Sequence, residues 1–343
     1  MRGLPSPWIK SRCLPVALLV ALAGSAKAAP NADLIGERPN AGGGADVIEL
    51  RVGLLDIAAI EDREQRFIVD AYVEIGWQDP RLAVEDGSGS VRTFGVNDVW
   101  TPRLTIVNNR GLDLLLPEVV SVDGQGNAIL RQRMVGPLTV DLKLREFPFD
   151  RQRLLVHVVS YQYSPAELVF SDDSEMIARV EGFSAGGWKF ESLPLEQSVF
   201  RLAADGRGAS QLTFGVLAER KARYYVLTVA LPIVLILCLA WMVHWLPPDV
   251  VPARMGMSTA TVFSVIAFGV SFRLALPKID YLTRADWFFV YSTLLVLLSL
   301  VVTVMATRWV STGCTDRAVR ATRLMCRTFP LAFALIGALT FLG

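Results

Sequence analysis

The sequence predicts a protein of two parts, an extracellular all-β sandwich domain followed by a four-helix transmembrane bundle. Three observations predict this fold: an N-terminus typical of an export signal, β-type segments over residues 46–222, and long uncharged runs over residues 223–343. The chain is 52% hydrophobic but also 20% charged, so the two kinds of residue must be segregated. The net charge of +1 shows no basic excess, and nucleic acid is therefore not expected as a partner.

Residues 1–28 are predicted to be a signal peptide. A basic start precedes a short apolar run at residues 14–23, and Ala26-Lys27-Ala28 offers small residues for cleavage. The alternative is a membrane anchor, but a run of about ten residues is too short for roughly 30 Å of hydrocarbon. Residues 29–45, which include Gly42-Gly43-Gly44 near their end, are predicted to be a flexible linker.

Residues 46–222 have the composition of strands separated by turns. β-Branched and aromatic residues dominate the segments 67–77, 154–161 and 211–217. Eight to ten strands without a long helix indicate a β-sandwich. No cysteine lies between residues 30 and 237, so neither a disulfide nor a cysteine metal site is expected in this domain.

Four apolar runs follow, and each is long enough, or nearly so, to cross a membrane. They cover residues 224–246, 255–272, 287–307 and 328–343, and the last reaches about 20 residues if residues 324–327 join it. The connection between the third and fourth runs is rich in arginine, and such an excess of basic residues is typical of a cytoplasmic loop. The sequence therefore predicts a multi-pass protein of the cell (inner) membrane with its N-terminal domain outside.

The second apolar run is unusual for a membrane anchor. Arg254 and Arg273 bracket it, and its interior is rich in glycine, alanine, serine and threonine. Small and hydroxyl residues allow close helix packing or face water. A tightly packed interior helix is one interpretation, and a pore bounded by fixed charges is the other. The two arginines favour the pore, which we predict along residues 252–274.

Several motifs then identify a family. In chain order they are Trp77-Gln78-Asp79-Pro80, Val99-Trp100-Thr101-Pro102, Phe147-Pro148-Phe149-Asp150 with Gln152, Arg220, and Leu276-Pro277-Lys278. With these motifs the chain resembles the pentameric ligand-gated ion channels, the superfamily of the Cys-loop receptors and their prokaryotic relatives. The resemblance extends from about residue 46 to the C-terminus. Val140 and Leu154 stand where animal members have two cysteines, and the short 310–321 linker also resembles prokaryotic members.

The resemblance implies a homopentamer in membrane lipid that conducts an inorganic ion and is opened by a small-molecule agonist, whose identity stays open. Pro252-Ala253-Arg254 resembles the inner mouth of the chloride-conducting members, whereas cation-conducting members have a glutamate there. No carboxylate is expected at this mouth, and rings of Arg254 and Arg273 would attract anions. We therefore predict chloride selectivity, with cation selectivity as the alternative. In the alternative, Arg254 points into the protein and Arg273 is an ordinary interfacial residue.

Alignment with the chloride-conducting members also implies which positions face the pore. They are Gly256, Ala260, Phe263, Ala267, Val270 and Leu274, in addition to Pro252, Ala253 and the two arginines. A ring of five Phe263 side chains is predicted to be the gate, because an apolar constriction excludes water. Alternatively, Phe263 packs between helices, with Thr259 or Ser264 nearer the axis.

In the family the agonist lies in an aromatic box between neighbouring sandwiches. The resemblance assigns Tyr161, Tyr163 and Phe200 to one side of the box and Tyr72 to the other. Val107 stands where the family often has tyrosine, so the box is incomplete. A bound amine held by cation–π contact and a role in the sandwich core remain alternatives for these aromatics. The only two histidines, His157 and His244, lie outside the pore run, so proton gating has no special support.

The resemblance further brings Asp62, Asp150, Arg220 and the Pro277-Lys278 pair to the junction of the two domains. These residues are expected to couple ligand binding to the pore, although surface turns and an interfacial arginine are the alternative. No phosphate-binding loop, nucleophile elbow or metalloprotease motif occurs, so an enzyme, a cofactor and a metal site are not expected. A membrane-anchored sensor or binding module is the remaining rival to a channel.

Overall fold

A computed structural model describes residues 36–84, 90–201, 208–275 and 279–341. The predicted signal peptide, the tip of the hairpin that follows Phe200, and Pro277 and Lys278 lie outside these residues. Part of the predicted flexible linker is held against the sandwich. Arg38 donates a hydrogen bond of 3.1 Å to Asp46, and the Asn40 N–H donates to the same carboxylate, so these contacts hold residues 38–40 beside the start of β1, and the flexible linker stays a prediction.

The N-terminal domain is an all-β sandwich of two sheets, as predicted. The strands described are β1 (Asp46–Glu61), β2 (Arg66–Gln78), β3 (Arg92–Gly95), β4 (Leu104–Ile106), β5 (Asp113–Leu114), β6 (Val119–Val122), β7 (Asn127–Thr139), β8 (Arg151–Ser160), β9 (Leu168–Phe170), β10 (Glu175–Ala178), β11 (Trp188–Ser192), β12 (Glu196–Arg201) and β13 (Gly208–Arg220). The first sheet runs β10-β1-β2-β7-β6-β3, and the second runs β11-β13-β8-β4. The strand number exceeds the prediction because several strands have only two to four residues, too short to produce a clear alternation.

The two sheets bury alternate residues of their long strands against each other. Along β1, Ile48, Leu50 and Val52 are buried while the residues between them are exposed or half-buried. Trp77 and Trp100 pack edge to face, with ring centroids 6.1 Å apart. This period of two is what a strand covered on one face requires, and it places the core between the sheets.

Among the described residues, four helices long and apolar enough to span a membrane follow the sandwich: Ala222–Trp245, Val251–Leu274 within the helix Val251–Ala275, Arg284–Ser311 and Thr315–Phe341. We call them the first to fourth helices. They extend beyond the apolar runs, because a helix continues into polar residues at the membrane surface. The connection between the third and fourth helices is therefore only residues 312–314, shorter than the predicted linker.

The first helix departs from regular α geometry where its sequence requires it. A π-helical turn covers Val226–Ala230, just ahead of Pro232. Proline has no backbone N–H and cannot complete the regular hydrogen-bond ladder, so an irregular turn before it is expected.

Candidate functional site

The second helix has one face against its own subunit and one face away from it. The buried stripe holds Arg254, Ser258, Thr261 and Val265, which recur every three or four residues. The six positions expected to face the pore are all exposed on the single subunit: Gly256, Ala260, Phe263, Ala267, Val270 and Leu274. A shift of two residues rotates a helix by about 200°, so these two sets lie on opposite faces.

Phe263 is the bulkiest side chain on this exposed face. It is 68% exposed and makes no packing contact that would bury it within its own subunit. Thr259 and Ser264 are exposed beside it, and the Ser264 hydroxyl donates back to the carbonyl of Ala260 at 2.8 Å. The position of Phe263 is thus compatible with a gate, which remains a prediction.

Arg254 does not lie where the sequence predicted. Its side chain is fully buried (0% exposed) and extends toward the fourth helix, where Nη2 donates to Thr322 Oγ1 at 3.3 Å. The prediction that its guanidinium lines the pore is therefore wrong for this structure. Pro252 and Ala253, which are predicted to form the inner mouth, are both exposed at the start of the helix.

Arg273 lies at the outer end of the second helix, where it forms an ion pair with the third helix. The side chain is 60% exposed, and its Nη2 lies 3.2 Å from Asp286 Oδ1. The other oxygen of Asp286 accepts hydrogen bonds from the N–H and hydroxyl of Thr283, which caps the third helix. The positive charge at this end is therefore balanced by a carboxylate, so a ring of Arg273 attracts anions less strongly than predicted.

Arg220 is the centre of the junction between the two domains. It ends β13 and binds both carboxylates assigned to coupling. Nη1 and Nη2 each lie 2.8 Å from an oxygen of Asp62, at the end of the β1–β2 hairpin. Nε lies 2.8 Å from Asp150 in the Phe147-Pro148-Phe149-Asp150 motif, which we call the signature loop. Three segments distant in sequence thus meet at one side chain.

Aromatic rings enclose the same guanidinium. Its carbon lies 4.1 Å from the ring centroid of Trp188, 4.9 Å from that of Phe147 and 5.1 Å from that of Tyr225. Burial lowers the pKa of Arg220, but the hydrogen bonds and charges of Asp62 and Asp150 outweigh it and raise the pKa above its ordinary value. The charge is therefore permanent, and the junction holds one cation against two carboxylates.

Gln152 closes the signature loop through hydrogen bonds to the backbone of Lys143. Its Oε1 accepts from the Lys143 N–H at 2.9 Å, and its Nε2 donates to the Lys143 carbonyl at 3.1 Å. Nε2 also donates to Asp150 Oδ2 at 2.6 Å. One amide side chain thus joins both limbs of the loop and orients the carboxylate that holds Arg220.

The structure adds coupling contacts that the sequence did not indicate. The Leu144 N–H donates to the Tyr281 hydroxyl at 3.0 Å, and the guanidinium of Arg145 lies over the Tyr281 ring. Arg284, at the start of the third helix, lies 2.6 Å from Glu146. These contacts tie the signature loop to the connection between the second and third helices. Leu144 and Glu146 directly precede the signature loop, but no local pattern links them to Tyr281 or Arg284.

The aromatic residues assigned to the agonist box divide into two groups. Tyr161 and Phe200 are neighbours on the second sheet, with ring centroids 6.0 Å apart and an edge-to-face geometry. Tyr72 lies on β2 in the first sheet, and its hydroxyl donates to Glu74 at 2.9 Å. Tyr163 instead accepts a hydrogen bond of 2.8 Å from the Trp100 indole and packs against the core. Its hydroxyl therefore has a structural partner already.

The described residues hold no cluster of three or more histidine, cysteine, aspartate or glutamate side chains that could bind a metal ion. Within the same residues, Cys238, Cys314 and Cys326 are free thiols.

Comparison with known proteins agrees with this architecture. Residues 35–220 match the neurotransmitter-gated ion-channel ligand binding domain, and residues 229–330 match the neurotransmitter-gated ion-channel transmembrane region. A proton-gated ion channel of Gloeobacter violaceus is 25% identical over 235 residues, which cover 67% of this chain and 64% of the relative. The alignment thus spans less than two thirds of that protein. The chain is a multi-pass membrane protein with an extracellular N-terminal domain, and it belongs to the pentameric neurotransmitter-gated ion channels, the Cys-loop receptors and their prokaryotic relatives.

Proposed function

We propose that five copies of this chain form a ligand-gated channel whose pore is selective for anions, with chloride as the permeant ion. The observation that carries the proposal is the exposed face of the second helix. From Val251 to Leu274 the helix contains no carboxylate, and its inner end exposes only Pro252 and Ala253. An ion passing the inner mouth would meet no negative side chain of this helix, and cations would gain no stabilisation there.

A potassium chloride gradient across liposomes containing the purified protein tests the selectivity. The reversal potential should lie near the chloride equilibrium potential. A value near the potassium equilibrium potential would instead support the alternative, a cation-selective channel. The balance of Arg273 by Asp286 favours this alternative, because it weakens the positive ring at the outer end. The mass of the purified oligomer tests the homopentamer, and a mass of one or two chains would contradict it.

We propose Phe263 as the gate, because it is the only large aromatic side chain on the exposed face predicted to line the pore. The series Phe263→Leu, Phe263→Ala and Phe263→Ser should raise the resting leak step by step as the side chain becomes smaller and more polar. Phe268→Ala is the matched control. Phe268 lies on the same helix but stacks on Phe289, with centroids 5.8 Å apart, so this change should leave the resting leak low. Equal leak in both variants would argue against the gate.

For the agonist we propose a cationic amine held by aromatic rings at an interface between subunits. Tyr161 and Phe200 would form one side and Tyr72 of the neighbour the other. Cation–π binding depends on the ring rather than the hydroxyl, so Tyr161→Phe should keep the activation midpoint and Tyr161→Ala should raise it. Tyr163→Phe is the control, since it should lower thermal stability through Trp100 without shifting the midpoint. If Tyr161→Ala leaves the midpoint unchanged, the site lies elsewhere.

Protons are a second candidate agonist, because the Gloeobacter relative is a proton-gated ion channel. His157 is half-buried, and its Nδ1 lies 3.0 Å from Thr213 Oγ1. Burial lowers the pKa of His157, so it would accept a proton only in acid. His157 lines a cavity of about 510 Å³, whose wall also contains Lys143, Arg151, Arg153 and Asp141. A pH step without any amine tests this candidate, and currents that persist unchanged in His157→Gln would exclude His157 as the sensor.

A further inference from the structure

The buried Arg254 lies in a polar cluster at the cytoplasmic ends of the helices. Only one of its three guanidinium nitrogens has a hydrogen-bond partner, the hydroxyl of Thr322 on the fourth helix. Nε and Nη1 are buried and have no partner among the described residues. Buried donors are nearly always satisfied in native proteins, so two open nitrogens on one guanidinium indicate a missing acceptor.

The positive charge of Arg254 also lacks a compensating negative charge. Among the residues that the structure describes, no carboxylate lies within ion-pair distance of it, whereas Arg220 has two and Arg273 has one. Thr322 and Cys326 lie beside the guanidinium, and neither is a carboxylate. A buried charge is unfavourable unless it is paired, and within a membrane bundle such a cation marks an ion site or a partner.

The cluster offers hydrogen-bond donors and few acceptors. Because Arg254 donates to Thr322 Oγ1, the hydroxyl proton of Thr322 is free to donate in turn. Together with the N–H groups on Nε and Nη1, this makes a set of donors around one cation. Such a set binds an anion and rejects a cation.

His244, on the first helix, has another buried nitrogen without a hydrogen-bond partner among the described residues. Its Nε2 lies 2.8 Å from Ser299 Oγ, and that hydroxyl donates its only proton to the Ala240 carbonyl. Nε2 must therefore carry the proton, which leaves the unpartnered Nδ1 as an acceptor in the neutral ring. A water bridging Arg254 and His244 would satisfy these hydrogen bonds, but it would leave the positive charge unbalanced. Balancing the positive charge of Arg254 requires an anion.

We propose that each subunit holds a small inorganic anion, chloride or a similar halide, against Nε and Nη1 of Arg254. A small ion fits better than a lipid phosphate, because Arg254 is fully enclosed and His244 and Thr322 are buried too. The anion would link the second helix to the fourth helix inside the subunit. The inference does not rest on the proposed selectivity, since a resident anion is compatible with a pore that conducts either kind of ion.

Bromide replacement tests the site directly, because bromine scatters anomalously. Crystals of the full pentamer grown in sodium bromide should show one anomalous peak per subunit within hydrogen-bonding distance of the Arg254 guanidinium. Thr322→Val, which removes one donor and keeps the side-chain size, should retain a weaker peak. An ordered water at this position, or no anomalous peak there, would overturn the proposal.

Thermal unfolding in solution gives a second readout. The apparent melting temperature of the detergent-solubilised pentamer should rise with halide concentration when gluconate replaces chloride at constant ionic strength, since a ligand that binds only the folded state stabilises it. Arg254→Met should lose this halide dependence. Equal dependence in the variant would place the halide elsewhere. If the variant does not assemble, the bromide experiment on the unmodified chain decides. The reversal potential is measured separately, so failure of the selectivity proposal and failure of this site are distinguishable.

Discussion

The ion pair between Arg220 and Asp62 provides the sharpest test of the gating junction. We expect Asp62→Asn to shift the balance between open and closed states and to leave the conductance of a single channel unchanged. Asp62 belongs to the extracellular hairpin and Arg220 directly precedes the first helix, so their contact crosses the boundary through which binding must act. Neither residue lies on the exposed face of the second helix.

The size of the effect follows from the geometry. The asparagine oxygen can still accept one hydrogen bond from Arg220, so the substitution removes one charge-assisted bond, worth about 2 kcal/mol. Asp62 is 18% exposed, and Asp150 still balances Arg220, so no unpaired buried charge results. If the contact is made in only one of the two states, about 2 kcal/mol corresponds to a shift of about 30-fold in the gating equilibrium.

The assay is a concentration–response measurement together with single-channel recording in the same liposomes. Asp70→Asn is the matched control, because Asp70 forms the same two-pronged pair with Arg133, whose side chain is largely exposed on the first sheet. Exposed pairs contribute about 0–1 kcal/mol, so the control should change the midpoint by less than about fivefold. Equal midpoint shifts in the two variants, or a reduced conductance in Asp62→Asn, would refute the role assigned to this junction.

Three further predictions concern packing, pH and the signature loop. A Cβ at Gly269 would lie 2.6 Å from the Phe289 ring, so Gly269→Ala should cost about 1–3 kcal/mol, and adding Phe289→Leu should restore the melting temperature. Burial lowers the pKa of His157 below its ordinary value near 6.5, so the unfolded chain binds its proton more readily. Stability should therefore fall as the pH drops from about 6.5 through the lowered pKa, and urea unfolding of His157→Gln should show a smaller loss. Tyr281→Phe removes the acceptor of the Leu144 N–H and should shift the activation midpoint by about fivefold, for about 1 kcal/mol, without changing conductance; an unaltered midpoint would contradict a coupling role.

The two-part fold could be predicted from the sequence because each half has its own period. Strands that bury one face alternate every two residues, and membrane helices show as long uncharged runs, so both signals are local. The helix ends could not be placed as well. Residues 315–323 are rich in arginine and look like a loop, yet they continue the fourth helix at the cytoplasmic surface. Charged residues show where the apolar part of the membrane ends, but the helix can continue beyond that point.

The misplacement of Arg254 could have been avoided in part. At about 100° per residue, Arg254 lies roughly 200° from Gly256, on the stripe that continues with Ser258. The helical register alone therefore separates the arginine from the predicted pore face. Its partner Thr322 is 68 residues away, and no local pattern reveals that contact. The link between Tyr281 and the signature loop was missed for the same reason, since it joins segments 137 residues apart.

Ala253 and Arg254 are adjacent, but Ala253 is exposed and Arg254 is buried, so we expect them to affect selectivity differently. A bare guanidinium about 10 Å from the ion path would contribute about 1.7 kcal/mol at an effective dielectric constant of 20, and five copies would then favour anions. If Arg254 holds the proposed anion, most of that field is cancelled, and the uncharged surface at Pro252 and Ala253 would set the selectivity. Ala253→Glu should therefore move the reversal potential toward the cation equilibrium potential, because it places five carboxylates at the exposed inner mouth. Arg254→Gln should leave the reversal potential near that of chloride in the channels that assemble. If Arg254→Gln alone reverses the selectivity, Arg254 acts as an unbalanced charge, and the site inside the subunit holds no anion.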